Sequence, residues 1–146
     1  MANPFLVAGA ALSAVAALLH IGCIFFGASW YRFFGAGERM AHLSAAGSNF
    51  PTIITAGIAT VLGIWSLYAL SAAGIVPALP LMRLVLCGIA AVYLLRGIAG
   101  LIFAVVAPGE RGRAFWCWSS VICLGIGTLY LLGTQQVWSQ LSRGAA

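Results

Sequence analysis

Long apolar runs separated by short polar breaks set the pattern of this chain. The runs cover about residues 4–26, 51–73, 80–106 and 114–132. Each holds roughly twenty residues or more, the length of helix that crosses a ~30 Å hydrocarbon core. Backbone groups in lipid must be satisfied internally, and these lengths and periods fit helices rather than barrel strands. Asn3 suits the cap of the first run, and Pro4 suits its opening turn, where a missing N–H costs nothing. Ser48 or Asn49 caps the second and Gly74 stops it; "APGERGR" ends the third and Gly133 closes the fourth. The second and third connections are short, which forces antiparallel neighbours. The expected fold is an all-α membrane protein: one domain over residues 1–146, with four transmembrane helices in an antiparallel up-down bundle.

The first connection breaks the pattern. "GASWYRFFGAGERMAHLSAAGSNF" opens with Trp30, Tyr31, Phe33 and Phe34 around Arg32 and runs on into "GERMAHLSAAG", which reads as a short helix. Aromatic residues beside Arg seek the membrane–water interface, and a long loop inside a compact protein is often functional. A long, partly helical interfacial loop is therefore expected between helices 1 and 2.

Composition agrees. The chain is 63% hydrophobic and 6% charged, whereas a soluble domain carries roughly a quarter of its residues as charges, so the outer solvent is expected to be lipid. Every basic residue is Arg, and the acids are Glu38 and Glu110. The net charge of +5 bears on orientation and on anionic headgroups, not on nucleic acid, for which there is no basic cluster or reading motif. Arg32, Arg39, Arg111 and Arg113 fall on one side, Arg83 and Arg143 on the other. The bias predicts cytoplasmic loops and both termini outside, in a bacterial inner membrane. The N-terminus lacks a basic n-region and reads as a retained first span. Cys23, Cys87, Cys117 and Cys123 form no C-x-x-C motif and read as small packing residues.

Helices associate in lipid through small residues that let backbones approach. Such rows are Gly9, Ser13 and Ala17; Thr52, Ala56, Ala59, Gly63 and Ser66; Gly88, Ala91, Gly97 and Gly100; and Ser119, Cys123 and Gly127. At ~1.5 Å per residue, measured from the side of the first and third loops, His20 lies ~9 Å deep, Arg96 ~15 Å, Ser119 ~8 Å, and Thr55 within the outer ~6 Å. All four helices thus put polar groups in one half of the bilayer, below the loop with Glu38, Arg39, His42 and Asn49.

Arg96 is the outlier. It sits in "AAVYLLRGIAGL", it cannot shed its proton, and burial at mid-membrane costs at least ~2.5–3.5 kcal/mol. A carboxylate, carbonyl and hydroxyl acceptors, a watery cavity or a bound anion must offset that cost, unless the side chain snorkels to the headgroups. Glu38 is the nearest carboxylate if the first loop dips inward. His20, whose ionisation lies near neutrality, suits proton movement or anion binding. The candidate ligand-binding set is Arg96, His20, Tyr93, Glu38, Arg39, His42, Asn49, Thr55 and Ser119. No catalytic group, metal set or cofactor is specified.

The stretch "ERMAHLSAAGSNFP" resembles in part the segment between the first two spans of the MAPEG family, through Glu38, Arg39, Ala41, His42 and Pro51. It departs at Ser44 and Gly47, where that family has Asn and Glu. The resemblance implies a trimeric, glutathione-dependent membrane enzyme, with glutathione held by Arg and His side chains at a subunit interface. Three expectations stand side by side. One is a module that binds or transports a small anionic or amphipathic ligand near Arg96 and His20, as a homo-oligomer if a path between subunits is needed. Another is an enzyme on a lipophilic substrate, and the third a ligand-free accessory subunit. Membrane lipids are partners in all three.

Overall fold

A computed structural model describes residues 1–141, the side chain of Glu110 excepted; Arg143 lies outside the described residues. The described chain is all-helical. Its elements are α1 (Pro4–Phe26), α2 (Ala28–Phe33), α3 (Glu38–Ala45), α4 (Phe50–Ala72), α5 (Met82–Val106), a 3-10 turn (Gly109–Arg111) and α6 (Gly112–Leu141). Of these, α1, α4, α5 and α6 are long and apolar enough to cross a membrane. Their outward faces carry large apolar side chains such as Leu18, Phe25, Ile53, Leu95, Val105 and Trp118, all exposed. Water would penalise that surface, and hydrocarbon does not.

Local signals account for the helix starts. Asn3 accepts from the Leu6 backbone N–H at 3.1 Å and so caps α1. Asn49 makes no such side-chain bond at the start of α4; Ser48 Oγ accepts from the Phe50 N–H instead, at 3.3 Å. Gly27, at φ +66°, turns the chain between α1 and α2, so that the Trp30 ring covers Gly22.

Two predicted boundaries move. The third span begins at Met82 rather than about residue 80. The fourth does not close at Gly133 but continues to Leu141. Gly133 is buried, and a Cβ there would come 2.6 Å from Leu6 Cγ on α1. It permits close packing and is not a stop. Two expected packing cysteines also move outward: Cys87 and Cys117 are exposed, Cys123 is half-buried, and only Cys23 is buried.

The helices pack as two pairs, α1 with α4 and α5 with α6, joined mainly where α1 meets α6. Glycine makes the α5–α6 and α1–α6 joints. Leu124 fits against Gly97 and Leu94 against Gly127, a reciprocal pair between α5 and α6. Between α1 and α6, Asn3 Nδ2 donates to Gln136 Oε1 at 2.8 Å, Leu6 meets Gly133, and Gly9 meets the ring of Tyr130.

A chain of hydroxyls ties this end together. Tyr130 O–H donates to the Trp65 carbonyl (3.1 Å), and Ser13 Oγ lies 3.0 Å from both the Tyr130 and Tyr93 hydroxyls. Each hydroxyl has one proton, so the directions are fixed. Tyr130 gives its proton to Trp65 and must accept from Ser13; Ser13 must then accept from Tyr93. Helices α1, α4, α5 and α6 are joined by this one chain, beside the stacked rings of Tyr93 and Tyr130 at 5.8 Å. Ser13→Ala breaks two bonds and leaves the Tyr93 hydroxyl without its acceptor. The expected loss is ~1–2 kcal/mol in detergent unfolding. An unchanged unfolding midpoint would remove the chain from the stabilising contacts.

Candidate functional site

Away from that tight end lies a cavity of about 610 Å³. Helix α1 supplies His20 and Cys23, α4 supplies Ile54, Thr55 and Ile58, α5 supplies Arg96, and α6 supplies Phe115, Ser119, Ile122 and Cys123. The α1–α6 register already seen at Leu6–Gly133 and Gly9–Tyr130, continued along both helices, brings His20 level with Ser119. The cavity's loop-side cover is Tyr31, the Phe34–Gly35–Ala36 turn and Met40.

Arg96 is half-buried, and its guanidinium lies 5.1 Å above the centre of the Trp116 ring. That ring is fixed by its own N–H, which donates to the Pro108 carbonyl at 3.0 Å. Nη1 of Arg96 is buried and has no hydrogen-bond partner. A Cβ on Gly100 would come 2.8 Å from that nitrogen and collide with Ser120 Oγ. Ser120 is fully buried, and its hydroxyl is also without a partner. The absent side chain at Gly100 is thus what makes room for two unsatisfied polar groups. A cation–π contact offsets ~0.5–2 kcal/mol of the cost of a buried guanidinium, and an unmade charged hydrogen bond leaves more than that outstanding.

His20 is half-buried, and its Nδ1 lies 2.7 Å from the Ala16 carbonyl oxygen. A carbonyl only accepts, so Nδ1 carries the proton, and Nε2 is the ring atom left for a ligand. Ser119 Oγ donates to Trp116 O in its own helix at 3.3 Å and keeps lone pairs free. Thr55 Oγ1 lies 3.1 Å from the Tyr31 hydroxyl, a buried bond that holds α2 against α4. Arg111 Nη2 donates to the Ala36 carbonyl at 3.1 Å and holds the turn from the other side. Tyr31→Phe removes the first of these ties, worth ~1 kcal/mol. Amide exchange across residues 28–36 should then rise about fivefold, with α1 unchanged; equal exchange would show that Arg111 and packing suffice to hold the cover.

Four of the predicted residues therefore line one cavity: Arg96, His20, Thr55 and Ser119. The others do not. Glu38 is not the counterion of Arg96. Its carboxylate takes Arg32 Nε at 3.1 and 3.2 Å, on the exposed surface. Glu38 opens α3 directly after Gly37, whose φ of +96° turns the chain outward there. Tyr93 faces the hydroxyl chain and the edge of Trp65. Arg39 lines a separate surface groove with Pro108 and Arg111. His42 is 77% exposed and 3.8 Å from Glu38, and Asn49 is exposed at the start of α4. Arg39 and His42, on which the MAPEG likeness rests, thus stand outside the cavity.

The candidate set drawn from the sequence left out Tyr31, Trp116, Ser120 and the two cavity thiols, Cys23 and Cys123. Tyr31 and Trp116 belong to aromatic runs whose plain meaning is an interfacial belt. Ser120 adjoins Ser119, and only the helix phase tells which of the two turns inward. Among the described residues no cluster of His, Cys, Asp or Glu can hold a metal ion. Compared with known families, curated proteins and solved structures, the chain finds no match in any of the three.

Proposed function

We propose that this chain is a multi-pass membrane protein that binds or transports a small anionic or amphipathic ligand whose charged group sits at Arg96 and His20. One observation carries the reading: a guanidinium nitrogen buried without a partner, in a residue that lines a cavity large enough for a ligand. A permanent cation desolvated in this way is a poor choice for stability and a good one for anion recognition.

An antiparallel up-down bundle supports the same picture. Along the pairs Arg83–Trp138, Leu94–Gly127 and Gly97–Leu124, one residue number rises as the other falls by the same step. The α1–α6 pairs Asn3–Gln136, Leu6–Gly133 and Gly9–Tyr130 behave likewise. The cavity then lies in the leaflet beneath the interfacial loop. The arginine bias makes that the cytoplasmic leaflet of a bacterial inner membrane, with both termini outside.

Native mass spectrometry of protein released from detergent tests this. Wild-type protein incubated with a long-chain fatty acid is expected to retain the acid, Arg96→Lys to retain part, and Arg96→Leu none. Lys keeps the charge but loses the two-pronged geometry. Equal retention by Arg96→Leu would overturn the assignment.

A further inference from the structure

The cavity differs in character between its loop side and its flank. From the loop side the cavity is covered. Tyr31 is 3% exposed and tied to Thr55. Gly35 is overlain by the ring of Phe115, and Ala36 is held by Arg111. Its flank has the opposite character. Ile54, Ile58 and Ile122 line the cavity, yet they are 43%, 43% and 57% exposed. These three are at once cavity wall and outer surface. The side opening is apolar and faces the hydrocarbon.

The opening also continues. A shallow apolar groove of about 470 Å³ runs along α4 past Ile54, Gly57, Ile58, Val61 and Trp65. It shares Ile54 and Ile58 with the cavity. Gly57 has open space where a side chain would stand. From Ile54 to Trp65 the helix rises ~16 Å, about the depth of one leaflet of a ~30 Å core. A charged pocket that opens sideways into an apolar groove about as long as one leaflet is deep matches a molecule with an anionic head and an alkyl chain.

Resting on the site reading above, we infer that the ligand is a single-chain anionic amphiphile of the long-chain fatty acid class, taken laterally from the bilayer. Its carboxylate reaches Arg96 and its chain lies in the α4 groove past Gly57. One guanidinium matches one carboxylate in charge and in its two-pronged geometry. Hydrocarbon is as apolar as the groove, so the chain adds little affinity from within the membrane; it sets the pose.

Photocrosslinking in phosphatidylcholine vesicles tests the pose. Two diazirine fatty acids are used, one labelled beside the carboxylate and one at the chain terminus. The first is expected to mark α1 near His20 and α6 near Ser119, and the second residues 57–65 of α4. Both signals should be lost in Arg96→Leu. Gly57→Trp fills the groove in open space without disturbing packing; it should move the terminal label off α4 and leave the head-proximal label in place. If the terminal label spreads over all outward faces, as a neutral alkyl diazirine does, while the head label still depends on Arg96, the groove inference falls and the site stands. If neither label depends on Arg96, both fall.

Discussion

Arg96→Leu is expected to make the empty protein more stable and the loaded protein less so. The guanidinium rests on the Trp116 face, and its Nη1 is buried without a partner. Replacing a buried, poorly compensated charge by a well-packed apolar side chain is often stabilising by ~1–4 kcal/mol. Loss of the cation–π contact takes back ~0.5–2 kcal/mol. The net gain is ~1 kcal/mol, a few degrees in a thermal unfolding scan of the delipidated protein. With ligand the sign reverses. Removing one partner of a desolvated charged pair costs ~2–5 kcal/mol of binding, a loss of at least ~30-fold. Fatty acid should therefore raise the unfolding temperature of the wild type and leave the variant where it is. A variant less stable than wild type when empty would mean that the guanidinium is held by the fold itself.

The largest stability effect is expected at the α5–α6 joint. Gly97 and Gly127 each receive a leucine from the opposite helix, and an added Cβ would lie 2.6–3.1 Å from Leu124 and Leu94 respectively, backbone nitrogen included. The leucine tips can shift, but the backbone cannot, so the helices must separate. Overpacking of this kind typically costs ~1–3 kcal/mol per site. Here Gly97→Val and Gly127→Val strain one continuous contact, and separation forced at one site makes room at the other, so the double variant should cost less than the sum of the single costs. Gly63→Ala and Gly125→Ala are the controls, since nothing lies within 4 Å of a Cβ at either position. They should be neutral or gain up to ~1 kcal/mol from helix propensity. Unfolding in mixed micelles measures all four. A double valine variant as stable as the controls would show that α5 and α6 are held by something other than this glycine-mediated approach.

Much of this architecture is legible without coordinates. Run length and apolarity suffice for four spanning helices, because in lipid no other element satisfies the backbone of so long a segment. Helix phase is less legible. On α4 the row Thr52, Ala56, Ala59, Gly63, Ser66 has plausible spacing, yet the buried stripe is Thr55, Ala59, Leu62, Ser66, Ala69. A span that is apolar all round has almost no moment to fix its rotation, and two of these rows share residues. On α5 the same ambiguity put Gly88 and Ala91 on the packed side, where both prove exposed. The level of His20, Thr55, Arg96 and Ser119 follows from counting residues, since depth depends only on helical rise. The pairing of Glu38 with Arg32 does not, because it depends on where Gly35 and Gly37 turn the first loop.

The end-to-end contrast has a mechanical consequence. Between Asn3 and Tyr130 the rods touch through glycine and through protons with one permitted direction, so that end cannot yield without breaking bonds. Swelling on filling would then fall at the other end, where α1, α4 and α6 border the cavity, while α5 and α6 stay clasped at Gly97 and Gly100. The protein would then widen in one leaflet only, from a cylinder toward a wedge. Occupancy by the proposed ligand would then follow the lateral pressure of that leaflet, rising where loosely packed lipids make room for the wider end and falling where crowded acyl chains resist it.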